Sequence, residues 1–153
     1  MLELPHSLVG AAIGVTVANP ILSLPLALLS HFATDYLPHW NPHINTEIKK
    51  YGSITKKSLL ILAADSGGAL VLGSSIAFLK SQSLSQFLVI MACCLLSVLP
   101  DVLEIPYYFF KKKIKWMEQL IDFQRAHQWN VPAVWGILAQ IIVSLGALFI
   151  IFT

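Results

Sequence analysis

The stretch GVTVANPILSLP, from Gly14 to Pro25, decides how the chain begins. It sits inside an apolar run from Ser7 to about Thr34 that is otherwise long enough for one membrane-spanning helix. Asn19-Pro20 interrupts that run. Proline has no backbone N–H and its ring clashes with the preceding turn, so a break is favoured over a straight helix. Two shorter helices are expected, roughly 6–18 and 21–36, folded as a hairpin; the alternative is one kinked span. Pro25 falls near the first turn of the second helix, which softens its cost.

Working outward, residues 37–56 read as a polar loop, punctuated by Pro38, Asn41, Pro42, Asn45 and Gly52 and charged by Lys49, Lys50 and Lys56. A second apolar stretch runs from Ser58 to Leu79, about the length that crosses a bilayer. Gly67-Gly68 and Gly73-Ser74-Ser75 supply small residues for close helix packing. A third stretch runs from Leu84 to about Phe110, with Pro100-Asp101 near its end, and a last one from Val131 to Phe152. Between these two, residues 111–127 place Ile114, Trp116, Met117, Leu120, Ile121 and Phe123 at roughly helical spacing among charged residues. That pattern suits an amphipathic helix lying in the membrane interface.

Composition agrees. Of 153 residues, 56% are hydrophobic and only 12% charged, with a mean hydropathy of +0.72. A soluble domain carries about twice that charged fraction to cover its surface, so lipid is expected to be part of the solvent. The fold expected is an all-α polytopic membrane helical bundle forming a single domain over residues 1–153. It has three full spans plus the broken N-terminal hairpin (or four spans) and one interfacial helix. A net charge of +2 is too small to point to nucleic acid. Cys93 and Cys94 are adjacent in an apolar run and read as packing residues. Met1 to His6 has no positive n-region, so no cleaved signal peptide is expected.

The lysines orient the bundle. Lys49 to Lys57 precede the second stretch and Lys111 to Lys115 follow the third, whereas the opposite connection holds only Lys80. The positive-inside rule places the two lysine-rich connections in the cytoplasm. A hairpin then returns His6 and Asp35 to the same face, and His127 begins the last span there.

The dozen residues LSHFATDYLPHW, from Leu29 to Trp40, carry the most chemistry. His31 and Asp35 are four apart, so on a helix they share a face and can share a metal ion. Pro38 ends the helix, which lets His39 fold back toward them. Imidazole with carboxylate suits zinc or a similar divalent ion. Asp35 also sits at a helix C-terminus, where the helix dipole disfavours an anion, so a cationic partner is called for. Asp65 lies about two turns inside the second span, where an unpaired charge costs several kcal/mol; it is a candidate base, ligand or orienter of a ligating histidine. Asp101 and Glu104 are three apart at the end of the third span and can face one site. His6, at a helix start, and His127, before the last span, complete the set. His43, between Pro42 and Ile44, stays outside it. A one-sided gathering favours a site over a pore; the competing class is a non-enzymatic membrane protein such as a metal or proton transporter or an assembly partner.

Pro5-His6 followed by Gly10, Leu99-Pro100-Asp101 closing a helix, and His127 before a span together resemble the YdjM-like bacterial inner-membrane family of metal-dependent hydrolases. More remotely, His31-Phe32-Ala33-Thr34-Asp35 looks like the HxxxD element of the zinc-dependent phospholipase C and single-strand nuclease superfamily. The family shows a further Asp after its LPD, where this chain has Val102, Leu103 and then Glu104. Its HRGxTHS-like segment is represented here by Arg125-Ala126-His127. The resemblance implies a hydrolase of the bacterial inner membrane. A divalent metal, zinc by analogy, would be held by some of His6, His31, Asp35, His39, Asp101 and His127, with Glu104 or Asp65 as general base. A site at the cytoplasmic interface suits a phospholipid or lipid phosphate, whose headgroup lies at that depth, and membrane lipids are the expected partners.

Overall fold

A computed structural model describes all residues, 1–153. Eight helices follow one another: α1 Glu3–Thr16, α2 Pro20–Asp35, α3 Ile44–Tyr51, α4 Lys56–Lys80, α5 Leu84–Val102, α6 Ile105–Phe110, α7 Lys115–His127 and α8 Ala133–Phe152. The only extended pairing is one parallel bridge between His39 and Asn130.

The break at Asn19-Pro20 is where the composition demands it. Asn19 caps α2, its side chain accepting from the Ile21 N–H at 3.0 Å, and Pro20 takes the first helical position, where its missing N–H costs nothing. At 1.5 Å per residue the 14 residues of α1 reach about 21 Å and the 16 of α2 about 24 Å. Both fall short of the roughly 30 Å hydrocarbon layer. The N-terminal run is therefore a hairpin that enters and returns. Lys56–Lys80, Leu84–Phe110 and Ala133–Phe152 are each long and apolar enough to cross a membrane. Their surfaces are apolar and outward-facing: Leu60, Phe78, Val134 and Phe149 are all at least 70% exposed. On three helices of spanning length, such a surface is one that faces lipid. The chain is an integral membrane protein.

Helix α1 is the hub of the bundle and packs against α2, α4, α5 and α8. Its Leu8, Ala11 and Ala12 join Ile76 and Ala77 of α4, Ile90 and Cys94 of α5, and Ala147 and Ile151 of α8 in one buried cluster. Lipid tails are as apolar as leucine, so helices associate here by close packing rather than by burial of apolar area. Gly10 and Gly14, four apart on α1, supply it: a Cβ at Gly10 would stand 2.5 Å from the Cys93 carbonyl oxygen and one at Gly14 2.9 Å from Ile90 Cα. Of the small residues expected to pack on α4, Gly73 meets Ser7 and Cys94, and Gly68 meets Leu4, whereas Gly67 faces open space. The Ser74 hydroxyl returns to its own helix, donating to the Leu70 carbonyl at 2.7 Å.

Two readings of the sequence change. The polar loop 37–56 contains α3, which ends on Gly52 in the left-handed conformation (φ 76°). Glu47 on that helix accepts from the Thr55 N–H at 2.8 Å and the Ser58 hydroxyl at 2.6 Å, tying α3 to the start of α4. The Ser58 hydroxyl and the Thr55 amide hold the Glu47 carboxyl below its ordinary pKa. Eight residues with a mostly polar surface show no apolar run, so the helix was hidden. The third stretch is likewise divided: α5 stops at Val102 and α6 begins at Ile105-Pro106. The expected amphipathic helix is α7, which buries Met117, Ile121 and Gln124 and leaves Trp116 and Phe123 outward.

Candidate metal centre

Both ends of the hairpin come back to the end of the bundle opposite Lys80. Met1 is buried there, and its amine donates to the Asp35 carboxylate. Asp35, His6, His31 and His39 are all at most 3% exposed. His31 and Asp35 come from one face of α2, as their spacing dictates, with His31 Nε2 3.8 Å from Asp35 Oδ2. His6 arrives from α1 and stacks on His31 with ring centroids 4.2 Å apart; its Nε2 lies 3.3 Å from Asp35 Oδ1. His39 folds back from the loop after α2 to 3.8 Å from the same oxygen. Asp101 from α5 reaches 3.6 Å from His31 Nε2.

The hydrogen bonds fix which nitrogen of each ring carries the proton. A carbonyl oxygen only accepts. His31 Nδ1 lies 2.8 Å from the Ser97 carbonyl, and His39 Nδ1 2.8 Å from that of Leu37, so both donate. The Thr34 hydroxyl gives its proton to the carbonyls of Ser30 and His31 at 2.8 and 3.0 Å. It therefore accepts from His6 Nδ1 at 2.9 Å. In the neutral rings all three Nε2 lone pairs point into the space around Asp35. His31 Nε2 also faces Gln124 Oε1 at 3.1 Å, whose amide nitrogen is committed to Glu104 at 2.7 Å. His39 Nε2 is buried with no hydrogen-bond partner.

Lone pairs directed at carboxylate and amide oxygens repel unless a cation sits among them. The Met1 ammonium serves Asp35 and lies 3.3 Å from His6 Nε2. At His31 and His39 that place is open to a proton or a metal ion. Burial, then the nearby Met1 ammonium, lowers the His39 pKa, which disfavours the imidazolium there. One ligand atom each from His6, His31 and Asp101 lie within 4.8 Å of one another, so this group can bind a metal ion. The donor set fits: imidazole nitrogen with carboxylate oxygen, each ring held by its second nitrogen, is how ligating histidines are supported.

His39 carries a pH prediction. Its pKa is lower folded than unfolded, so between the two values the unfolded chain binds the extra proton. Stability in detergent is expected to be full above about pH 6.5 and to decline as pH falls below it. His39→Asn, whose Nδ2 stands where the ring Nδ1 does and can still donate to the Leu37 carbonyl, should flatten that decline in thermal-shift measurements from pH 8 to 5. An unchanged slope would reject the assignment.

Other expected residues fall differently. Asp65 lines the neighbouring cleft, but both its oxygens are engaged: Oδ2 accepts from the Glu3 N–H at 2.6 Å and Oδ1 from that of Leu4 at 3.1 Å. It caps α1 from the neighbouring helix, satisfying two of the orphan N–H groups at that helix start. His127 stays outside the cluster. Its Nδ1 donates to the Phe123 carbonyl at 2.7 Å and its ring packs against Phe123 and Tyr36. It is the next residue, Gln128, that reaches Asp35 at 3.1 Å. Glu104 lines the cleft and holds Gln124.

Several participants had no motif. Gln124 links His31 to Glu104, while Gln140 on α8 accepts from the Leu2 N–H at 2.7 Å and donates to the Trp40 carbonyl at 3.0 Å. Both were visible as amides on otherwise apolar helix faces, where a polar group needs a partner. Ser97 and Thr34 act through a carbonyl and a hydroxyl that no spacing rule marks. No protein-family model matches this chain, and no curated protein or solved structure matches it.

Proposed function

We propose that this protein is a membrane-embedded metal-dependent hydrolase whose cation is held by His31, Asp101 and His6, the last giving up its contact with the Met1 ammonium to the ion, with Asp35 and His39 beside them. The observation that carries the reading is the convergence of three Nε2 lone pairs, each set by a committed Nδ1, on one buried carboxylate. Imidazole and carboxylate donors favour zinc among the common divalent ions. When bound, such an ion lowers the pKa of water and polarises a phosphoryl or acyl oxygen.

The chain's own groups supply the rest. Glu104 is placed to accept a proton from water in the cleft, and Gln124 holds it in register with His31. Gln128 orients Asp35. The likeness to the YdjM-like family supports the same chemistry, and the two lysine-rich connections support placing the site on the cytoplasmic side of a bacterial inner membrane. A transporter would need comparable polar groups along its spans. Here the histidines and carboxylates gather at one end of the bundle.

Metal analysis of the purified protein beside a His31→Ala variant tests this. Wild type is expected to retain a stoichiometric divalent ion and the variant to lose it, together with at least a hundredfold in phosphate-ester hydrolysis. Wild type with negligible metal and no gain on zinc addition would reject the reading.

A further inference from the structure

Beside the centre lies a cleft of about 310 Å³, at the small end of the range of ligand pockets. Its charge is one-sided. Glu3 of α1, Asp65 of α4, and Asp101 and Glu104 where α5 gives way to α6 all line it. Arg125 is the one lysine or arginine on the lining, and Asp122 stands 3.7 Å from its guanidinium. The Met1 amine, also on the lining, is committed to Asp35. A carboxylate kept from water is costly unless an opposite charge meets it.

Three of the four have partners: Asp65 accepts two backbone N–H groups, Glu104 accepts from Gln124, and Asp101 belongs to the metal group. Glu3 differs. Its Oε2 is buried with no hydrogen-bond partner, and the same holds of Asn41 Oδ1 on the same lining. Both are acceptors, and a buried acceptor left unmet costs its full desolvation. The missing group is a donor that carries positive charge.

Spacing decides between a bare metal ion and an organic cation. Ligand atoms of His6, His31 and Asp101 lie within 4.8 Å of one another, whereas Glu3, Asp65 and Glu104 form no such group. A metal ion needs its donors about 2 Å away on several sides, which carboxylates this far apart do not supply. Two ammonium groups on a short carbon chain can meet them separately, each with three donors and no acceptor. Ile105 and Phe109 on the lining offer the chain apolar contact. His43 and Thr46, exposed and outside the three spans, open the cleft toward water.

We propose that the cleft binds a small water-soluble aliphatic diamine in its doubly protonated form, one ammonium meeting Glu3 and Asn41 and the other Glu104. This binding does not depend on the hydrolase reading, because Glu3 and Asn41 stand outside the metal group. On that reading an ammonium at Glu104 occupies the base, so the diamine is an inhibitor and not a substrate.

Isothermal titration calorimetry of the detergent-purified full chain at neutral pH tests this, with diaminobutane as ligand and butylamine as control. Diaminobutane is expected to bind at one site, and butylamine about tenfold more weakly. Glu3→Gln keeps the shape, removes the charge and should cost about tenfold in diaminobutane affinity. Asn41→Asp adds a carboxylate and should tighten binding by about the same factor, a gain that misfolding cannot imitate. No saturable binding at millimolar diaminobutane, equal affinity for butylamine, or affinity unmoved by both substitutions would each overturn the proposal. Displacement by an equal concentration of magnesium would do so too, since it would make the cleft a metal site. Nanodiscs of dioleoyl phosphatidylethanolamine that block diaminobutane would place a lipid headgroup there and also overturn it. Metal content and phosphate-ester hydrolysis of the same preparations bear on the hydrolase reading alone.

Discussion

Asp35→Ala is expected to be the most destabilising single substitution in the protein. The carboxylate is buried, receives the Met1 ammonium and the Gln128 amide, and stands within 3.3 to 3.8 Å of three imidazole Nε2 atoms. Removing it leaves the buried Met1 ammonium without its counter-charge and the Gln128 amide without its acceptor. Stranding one partner of a buried ion pair costs about 3–5 kcal/mol, far more than the pair itself contributes. Asp35→Asn keeps the shape and the Gln128 contact but loses the charge, so it should fall between wild type and alanine. Chemical denaturation in detergent, followed by helix content, measures both. Equal midpoints for wild type and Asp35→Ala would mean that the cluster is solvated or that other groups neutralise it, contrary to its burial.

Gly136→Ala should be the second. The residue looks unremarkable, a glycine in the first turn of the last span, yet a Cβ there would stand 2.4 Å from the Trp40 backbone nitrogen and 2.6 Å from the His39 carbonyl carbon. Both contacts are with backbone, which cannot rotate away. The 39–40 loop is pinned by the Val131 N–H to His39 carbonyl bond at 3.0 Å, the His39 N–H to Trp129 carbonyl bond at 3.1 Å, and Gln140. The added methyl must move that loop or α8. Overpacking of this kind costs about 1–3 kcal/mol, and displacing His39 should also weaken metal retention. Gly146→Ala on the same helix is the control. A Cβ there meets nothing within 4 Å, so stability should hold or rise slightly from the better helix propensity of alanine. Equal behaviour of the two variants would refute the close approach.

The parts of the fold legible in sequence were those governed by solvent and by chain-local geometry. Four apolar stretches with a shortage of charge require lipid. Asn19-Pro20 requires a break, and the break makes the first stretch a hairpin of two arms too short to span. His31 and Asp35, four apart, had to share a face of whatever helix held them. Glu104 and Asp101 also emerge near the centre, carried by the end of the third stretch. What the sequence did not show has equally local causes. Residues 44–51 are too short and polar to show a period. His127 and Gln128 are neighbours in sequence, and only the direction in which α7 ends decides which of them reaches Asp35.

The break at Asn19-Pro20 returns both arms of the hairpin to one side, and that much follows from residues 14–25 alone. Sequence by itself thus determined an all-helical membrane protein with its histidines and carboxylates at one end. Only the tertiary structure decided which of them meet. His6 comes from α1, His31 and Asp35 from α2, Asp101 from α5, and the carbonyl of Ser97 and the amides of Gln124 and Gln140 set their orientation. Those distances depend on the register between helices, which Gly10, Gly14 and Gly136 set by letting backbones approach. Register is a property of facing surfaces, not of any one stretch. A spacing rule along one helix therefore finds the His31–Asp35 pair and stops there.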